Sequence, residues 1–108
     1  AAVDDNGRQI DGEVDNVLSL GNLKAKFEAF GWTTLEIANG NDMEQVISGI
    51  KNAQTYLGKG KPVIILMRTE MGYGVDYMMG THKWHGKAPN DDQLKAALAQ
   101  LEETLGDY

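Results

Sequence analysis

Apolar positions recur at helical spacing in three places along the chain. Leu20, Leu23, Phe27 and Phe30 share one face of a segment running from about Ser19 to Phe30, with Ser19 as candidate N-cap and Gly31 as the stop. Met43, Val46, Ile47, Ile50, Ala53 and Leu57 form a stripe along Asp42 to Leu57, where Asn41 and Glu44 resemble a capping box. Leu94, Ala97, Leu98, Leu101 and Leu105 line a third face over about Asp91 to Leu105, with Asn90 as its cap. Two other stretches follow a different rule. Trp32 to Ile37 alternates, placing Leu35 and Ile37 on one face of a short strand, and Pro62 to Met67 is an unbroken apolar run between turn signals. Its position after a helix marks that run as a parallel strand buried on both faces.

Together with a strand stub at Ala1 to Val3, the order predicts an α/β fold: a partial three-layer arrangement with a mainly parallel sheet and about three major helices. Parallel strands have neighbours on both sides and helices over both faces, so the stub reads as the start of the later part of a larger α/β domain. From Glu70 to Pro89 no period is found. Gly72, Gly74, Gly80 and Gly86 punctuate this stretch, which also carries both histidines, His82 and His85, and Trp84. A loop this long in a compact domain is a candidate functional segment.

Composition narrows the function classes. A chain of 108 residues suits one modest core. A net charge of -6 repels nucleic acid and anionic membrane, which are bound by lysines and arginines that neutralise phosphate. The longest apolar run, Val63 to Met67, is too short to span a bilayer, and no charged segment followed by an apolar stretch marks a secretory signal. The absence of cysteine removes disulfide and thiolate chemistry and fits a cytoplasmic setting.

Three short segments carry candidate chemistry. "DDNGRQIDG", Asp4 to Gly12, is on residue types a turn, since Asn and Gly accept positive φ and Asp bonds its own backbone. It also offers a hard divalent ion the Asn6 amide oxygen, a nearby backbone carbonyl and a carboxylate, so a simple ion site built on Asp4, Asp5, Asn6 and Asp11 stays open. "GTHKWHGKAPN", Gly80 to Asn90, places His82, Lys83, His85 and Lys87 together in an otherwise acidic chain. Histidines at this spacing, with no third His or thiolate, are a poor tetrahedral metal site; anion contact and proton transfer fit better, against a plain polar loop anchored by Trp84. "TEMGYGV", Thr69 to Val75, follows the buried strand, where ligands bind in open α/β sheets, and its Gly-x-Gly lets backbone approach a ligand. If the strands are parallel, all three segments lie at one sheet edge.

These segments, with "KFEAFGW" and the "KPVIILMRTEMGYG" run, resemble in order and spacing the second half of the diphosphate-binding domain of transketolase, most closely the N-terminal subunit of two-chain enzymes. The resemblance covers essentially residues 1–108. It implies thiamine diphosphate with Mg2+ or Ca2+, and transfer of a two-carbon ketol unit between sugar phosphates. By resemblance, Asn6 gives its side-chain oxygen and Arg8 its backbone carbonyl to the metal. Ile10 packs on the thiazolium ring, Met71 and Gly72 contact the cofactor, and His85 reaches the diphosphate and the reacting sugar as the candidate catalytic residue.

The resemblance also sets expectations about what the 108 residues lack. They contain neither the family's Gly-Asp-Gly motif with its metal-binding Asp, nor the pyrimidine-binding domain with the Glu that activates the cofactor. The expected state is therefore an enzyme component, inactive alone and completed by the remaining transketolase segments or a C-terminal subunit. The alternative is a catalytically silent α/β interaction or regulatory module. A homo-oligomer is expected, since an uncovered apolar surface and an open sheet edge favour association.

Overall fold

The computed structural model describes residues 1–102. Three parallel strands form the main sheet: β1 (Ala2–Asp5), β4 (Thr33–Ile37) and β5 (Val63–Arg68), in the order β1-β5-β4. β5 is central because it is apolar on both faces; Val63, Ile64, Ile65 and Leu66 are all buried. Register sets β1 and β4 on either side of it, with Ala2 and Leu35 both opposite Ile65.

Helices cover both faces. α3 (Met43–Gln54) packs on the face bearing Val63, Ile65, Leu35 and Ile37, where its Ala53 joins the core. The seven-residue α2 (Leu23–Ala29) lies against β4, tied by a 2.6 Å ion pair from Lys24 to Glu36. The neighbouring Glu36 carboxylate raises the Lys24 ammonium above its ordinary pKa. α2 thus follows β1 and α3 follows β4, giving the expected three layers. α4 (Asp91–Leu98) is fastened instead to the long loop, where Tyr77 donates its hydroxyl to the Gln93 carbonyl at 2.7 Å.

Several element ends differ from the sequence expectation. α2 is capped by Asn22, which accepts from the Ala25 N–H at 2.9 Å; Ser19 instead donates to Asp15, and Gly21 at φ +56° separates the two. α3 is capped by Asp42 and not by an Asn41–Glu44 box: one Asp42 oxygen accepts from the N–H groups of Glu44 and Gln45. It ends at Gln54, three residues before Leu57. α4 has the expected Asn90 cap, reciprocated by Gln93, but ends at Leu98; the expected extension to Leu105 runs past the described residues. β1 extends to Asp5, so two of the acidic residues read as turn belong to a strand. A small hairpin follows, β2 (Arg8–Gln9) with β3 (Gly12–Glu13), and then a one-turn helix, α1 (Val14–Val17). Strands of two residues are too short for any period to announce them.

Much apolar surface is left uncovered. Phe30 is 84% exposed, Met43 65% and Leu57 62%, and no side chain of the described core is fully sealed. The radius of gyration is 16.9 Å, against about 13 Å for a compact chain of this length. The helical stripes of α2 and α3 thus mark real apolar faces, only part of which packs within these residues.

Candidate functional site

Because the three strands run parallel, their carboxyl ends emerge together, and the loops leaving them are stitched side by side. Thr69, just after β5, gives its hydroxyl to the Asp4 carboxylate on β1 and its N–H to the Asp5 carbonyl at 3.5 Å. The loop after β4 reaches β5 from the other side: the Gly40 N–H donates to the Arg68 carbonyl at 2.5 Å, and Asn41 Oδ1 accepts from the Glu70 N–H at 2.7 Å. Gly40 is required there, since a Cβ would stand 2.7 Å from Thr69 Cγ2 and 3.0 Å from the Arg68 carbonyl oxygen. Sequence reading missed Asn41 in this role, and Glu70 altogether; a polar residue between an apolar run and Gly-x-Gly was the only available signal.

At the end of β1, Asn6 Oδ1 accepts from the Arg8 N–H at 2.9 Å, and Gly7 between them adopts φ +70°. This side-chain turn brings the Asn6 amide and the Arg8 backbone together. The hairpin then sends the Arg8 guanidinium across to Glu13, its register partner, leaving Arg8 Nε buried without a partner. The carboxylates nearby are committed elsewhere: Asp4 to Thr69, and Asp5 to Arg68 at 2.9 Å. Asp11 is exposed at the tip of the hairpin, beside Ile10. Among the described residues no group of three or more His, Asp or Glu side chains is arranged to hold a metal, so an ion site built from these aspartates finds no support. What the turn does offer is neutral amide and carbonyl oxygen, a donor type that suits a hard divalent cation sharing its shell with other ligands. The unpartnered Arg8 Nε–H could serve an anionic acceptor.

Past β5 the chain turns tightly. Met71 and Gly72 are half-buried, and Gly72 has φ +73° with Met78 so close that a Cβ would lie 2.6 Å from the Met78 Cβ. The Glu70 carboxylate accepts from the Gly80 N–H at 2.7 Å, closing this segment before the histidines. Trp84 is anchored as expected: its indole N–H donates to the Tyr77 carbonyl at 2.8 Å, the two rings lie 5.1 Å apart, and the Lys87 ammonium sits 5.1 Å from the Trp84 ring. The His85 N–H donates to the His82 carbonyl at 3.0 Å, which makes a turn with the His85 side chain exposed.

The structure therefore joins Asn6 directly to Arg8, while Thr69 ties the end of β1, at Asp4 and Asp5, to the segment that leads into the Met71–Gly72 turn after β5. Ile10, 67% exposed at the hairpin tip, and His85 have no hydrogen bond or ion pair to these residues among the described ones.

The description "transketolase, thiamine diphosphate binding domain" belongs to a family model that matches residues 1–105. The chain belongs to the transketolase family. It is 36% identical over 105 residues to one of the subunits of the apulose-4-phosphate transketolase of Phocaeicola vulgatus, covering 97% of this chain and 36% of that protein. Transketolase 2 of Aliivibrio fischeri is 38% identical over 98 residues, which are 91% of this chain and 14% of that one. Among solved structures, the Pichia stipitis transketolase in complex with sedoheptulose 7-phosphate superimposes with a TM-score of 0.78 at 26% identity, over 90% of this chain and 14% of that chain. The chain thus spans about a third of the length of the first relative and a seventh of the single-chain transketolases. The transketolase resemblance and the α/β fold with a mainly parallel sheet both hold. Among the described residues no helix is long and apolar enough to cross a membrane.

Proposed function

We propose that residues 1–108 form the later part of the diphosphate-binding domain of a transketolase that moves a two-carbon ketol unit between sugar phosphates. The observation that carries this reading is the family match over residues 1–105, which includes every one of the candidate site segments. When bound, thiamine diphosphate supplies the carbanion chemistry. Asn6 Oδ1 and the Arg8 carbonyl hold Mg2+ or Ca2+, as neutral oxygens beside ligands from elsewhere in the assembly. Ile10 and Met71 present apolar surface to the cofactor rings, and the absence of a side chain at Gly72 lets the backbone come close. His85, exposed on its turn, would hydrogen-bond the diphosphate and the sugar and pass a proton at its imidazole.

The 108 residues alone are inactive in this account, because neither the Gly-Asp-Gly segment nor a cofactor-activating Glu from a pyrimidine-binding domain is among them. The exposed Phe30, Met43 and Leu57 support completion by further transketolase segments or by another chain, and assembly into a homo-oligomer; the cysteine-free sequence fits a cytoplasmic setting. Calorimetric titration with Mg2+ and thiamine diphosphate tests the reading. Binding is expected to be weak for the chain alone and to tighten at least tenfold, about 1.4 kcal/mol, when the upstream half of the domain is supplied. No gain on complementation would favour a silent interaction or regulatory module instead.

A further inference from the structure

Glu70 joins the loop after β5, to which it belongs, both to the β4 loop and to the segment that leads into the histidine turn. It follows Thr69 at the end of β5, its N–H is held by Asn41 of the β4 loop at 2.7 Å, and its carboxylate holds the Gly80 N–H at 2.7 Å. The segment it closes is folded on itself: Val75 N–H donates to Gly72 at 3.1 Å, Met78 N–H to Val75 at 2.9 Å, and Val75 is buried. Glu70 therefore fastens both ends of an otherwise aperiodic loop to one point of the sheet.

Immediately after Gly80 come Thr81 and the turn from His82 to His85. Two anchors hold that turn. Before it is the Glu70–Gly80 bond, and within it the Trp84 indole donates to the Tyr77 carbonyl, with Tyr77 itself bonded to α4. The indole anchor lies within the loop and α4, and so it gives the turn shape without placing it against the sheet. Among the described residues, the hydrogen bond that ties the start of the turn to the end of β5 is the one from the Gly80 N–H to the Glu70 carboxylate.

We infer that Glu70 is a positioning residue, holding the histidine turn against the carboxyl edge of the sheet through its bond to Gly80. The inference rests on the functional reading above for the consequence, namely that His85 then faces the bound substrate. The bond itself does not depend on that reading. An amide at this position keeps an oxygen acceptor, whereas a shorter carboxylate falls one methylene short of Gly80.

Hydrogen–deuterium exchange by mass spectrometry on Glu70→Gln, Glu70→Asp and Glu70→Ala, made in the assembly that contains this chain, tests this. For Glu70→Asp and Glu70→Ala, exchange across residues 80–87 should rise about three- to tenfold, the factor that loss of one hydrogen bond gives, while residues 63–68 of β5 stay protected. Glu70→Gln should keep the parent protection. In the active assembly the same two variants should raise KM for the ketose phosphate or lower kcat, with Glu70→Gln rescuing. Equal exchange at residues 80–87 in Glu70→Asp and Glu70→Gln would overturn the inference, as would faster exchange with unchanged kcat/KM. If the parent assembly transfers no ketol unit, the functional reading fails, and the exchange comparison alone decides whether Glu70 holds the loop.

Discussion

The backbone N–H of Gly40 donates to the carbonyl of Arg68 at 2.5 Å, joining the loop that leaves β4 to the last residue of the central strand. Parallel strands bring their carboxyl ends to one edge, but the loops beyond them need fastening to form a surface. Gly40 allows the approach because it carries no side chain. In Gly40→Ala the new methyl would press on Thr69 Cγ2, the Arg68 carbonyl and Met67 Cβ, two of which cannot swing aside. A loss of about 1–3 kcal/mol is expected, the usual range for overpacking, measured as the shift in urea midpoint. An unchanged midpoint would mean that the two loops are not held this closely.

Asp42 makes the start of α3 sensitive to pH. The Gln45 side-chain amide, helped by the backbone N–H groups of Gln45 and Glu44, holds its carboxylate below the ordinary value of 3.8. A group whose pKa is lowered on folding contributes stability above its unfolded pKa and loses it as pH falls through the folded one. The chain should therefore lose helix content as pH drops below about 4, and Asp42→Asn, which keeps a neutral acceptor, should flatten that part of the profile. Circular dichroism at 222 nm between pH 5 and 2 checks this; identical slopes in parent and variant would contradict it.

How much of this was legible in the sequence depends on the length of each signal. β5 was readable because four consecutive buried apolar residues have few other homes, and the helix before it implied a parallel neighbour. The edge position of the three chemical segments followed from that alone. Helix starts were less readable: Ser19 and Asn22 are both good caps, as are Asn41 and Asp42, and only the three-dimensional path decides which is used. Asn41, freed from capping, holds Glu70 instead, a contact spanning 29 positions that no local pattern encodes. The hairpin after Asn6 was hidden for the opposite reason, its strands being only two residues long.

Asn6 has two tasks in this account, and Asn6→Ala removes both. Its amide oxygen closes the turn onto Arg8, worth about 1 kcal/mol, and in the proposed site also meets the metal. Asn6→Asp keeps an acceptor for the turn, whereas Asn6→Ala removes it. In the assembled enzyme Asn6→Ala should weaken Mg2+-dependent cofactor binding about tenfold or more, read by calorimetry. Cofactor affinity unchanged in Asn6→Ala would remove Asn6 from the metal shell.

The central claim is that these residues are one part of a ketol-transferring site, and turnover on reconstitution tests it most directly. With thiamine diphosphate, Mg2+ and a ketose and aldose phosphate pair, the 108-residue chain alone should give no product. Supplied with the upstream half of the domain and a pyrimidine-binding partner, it should transfer the two-carbon unit, with His85→Ala lower in kcat by about 10²- to 10⁴-fold. Appreciable turnover by the chain alone, or none after full complementation, would contradict the account.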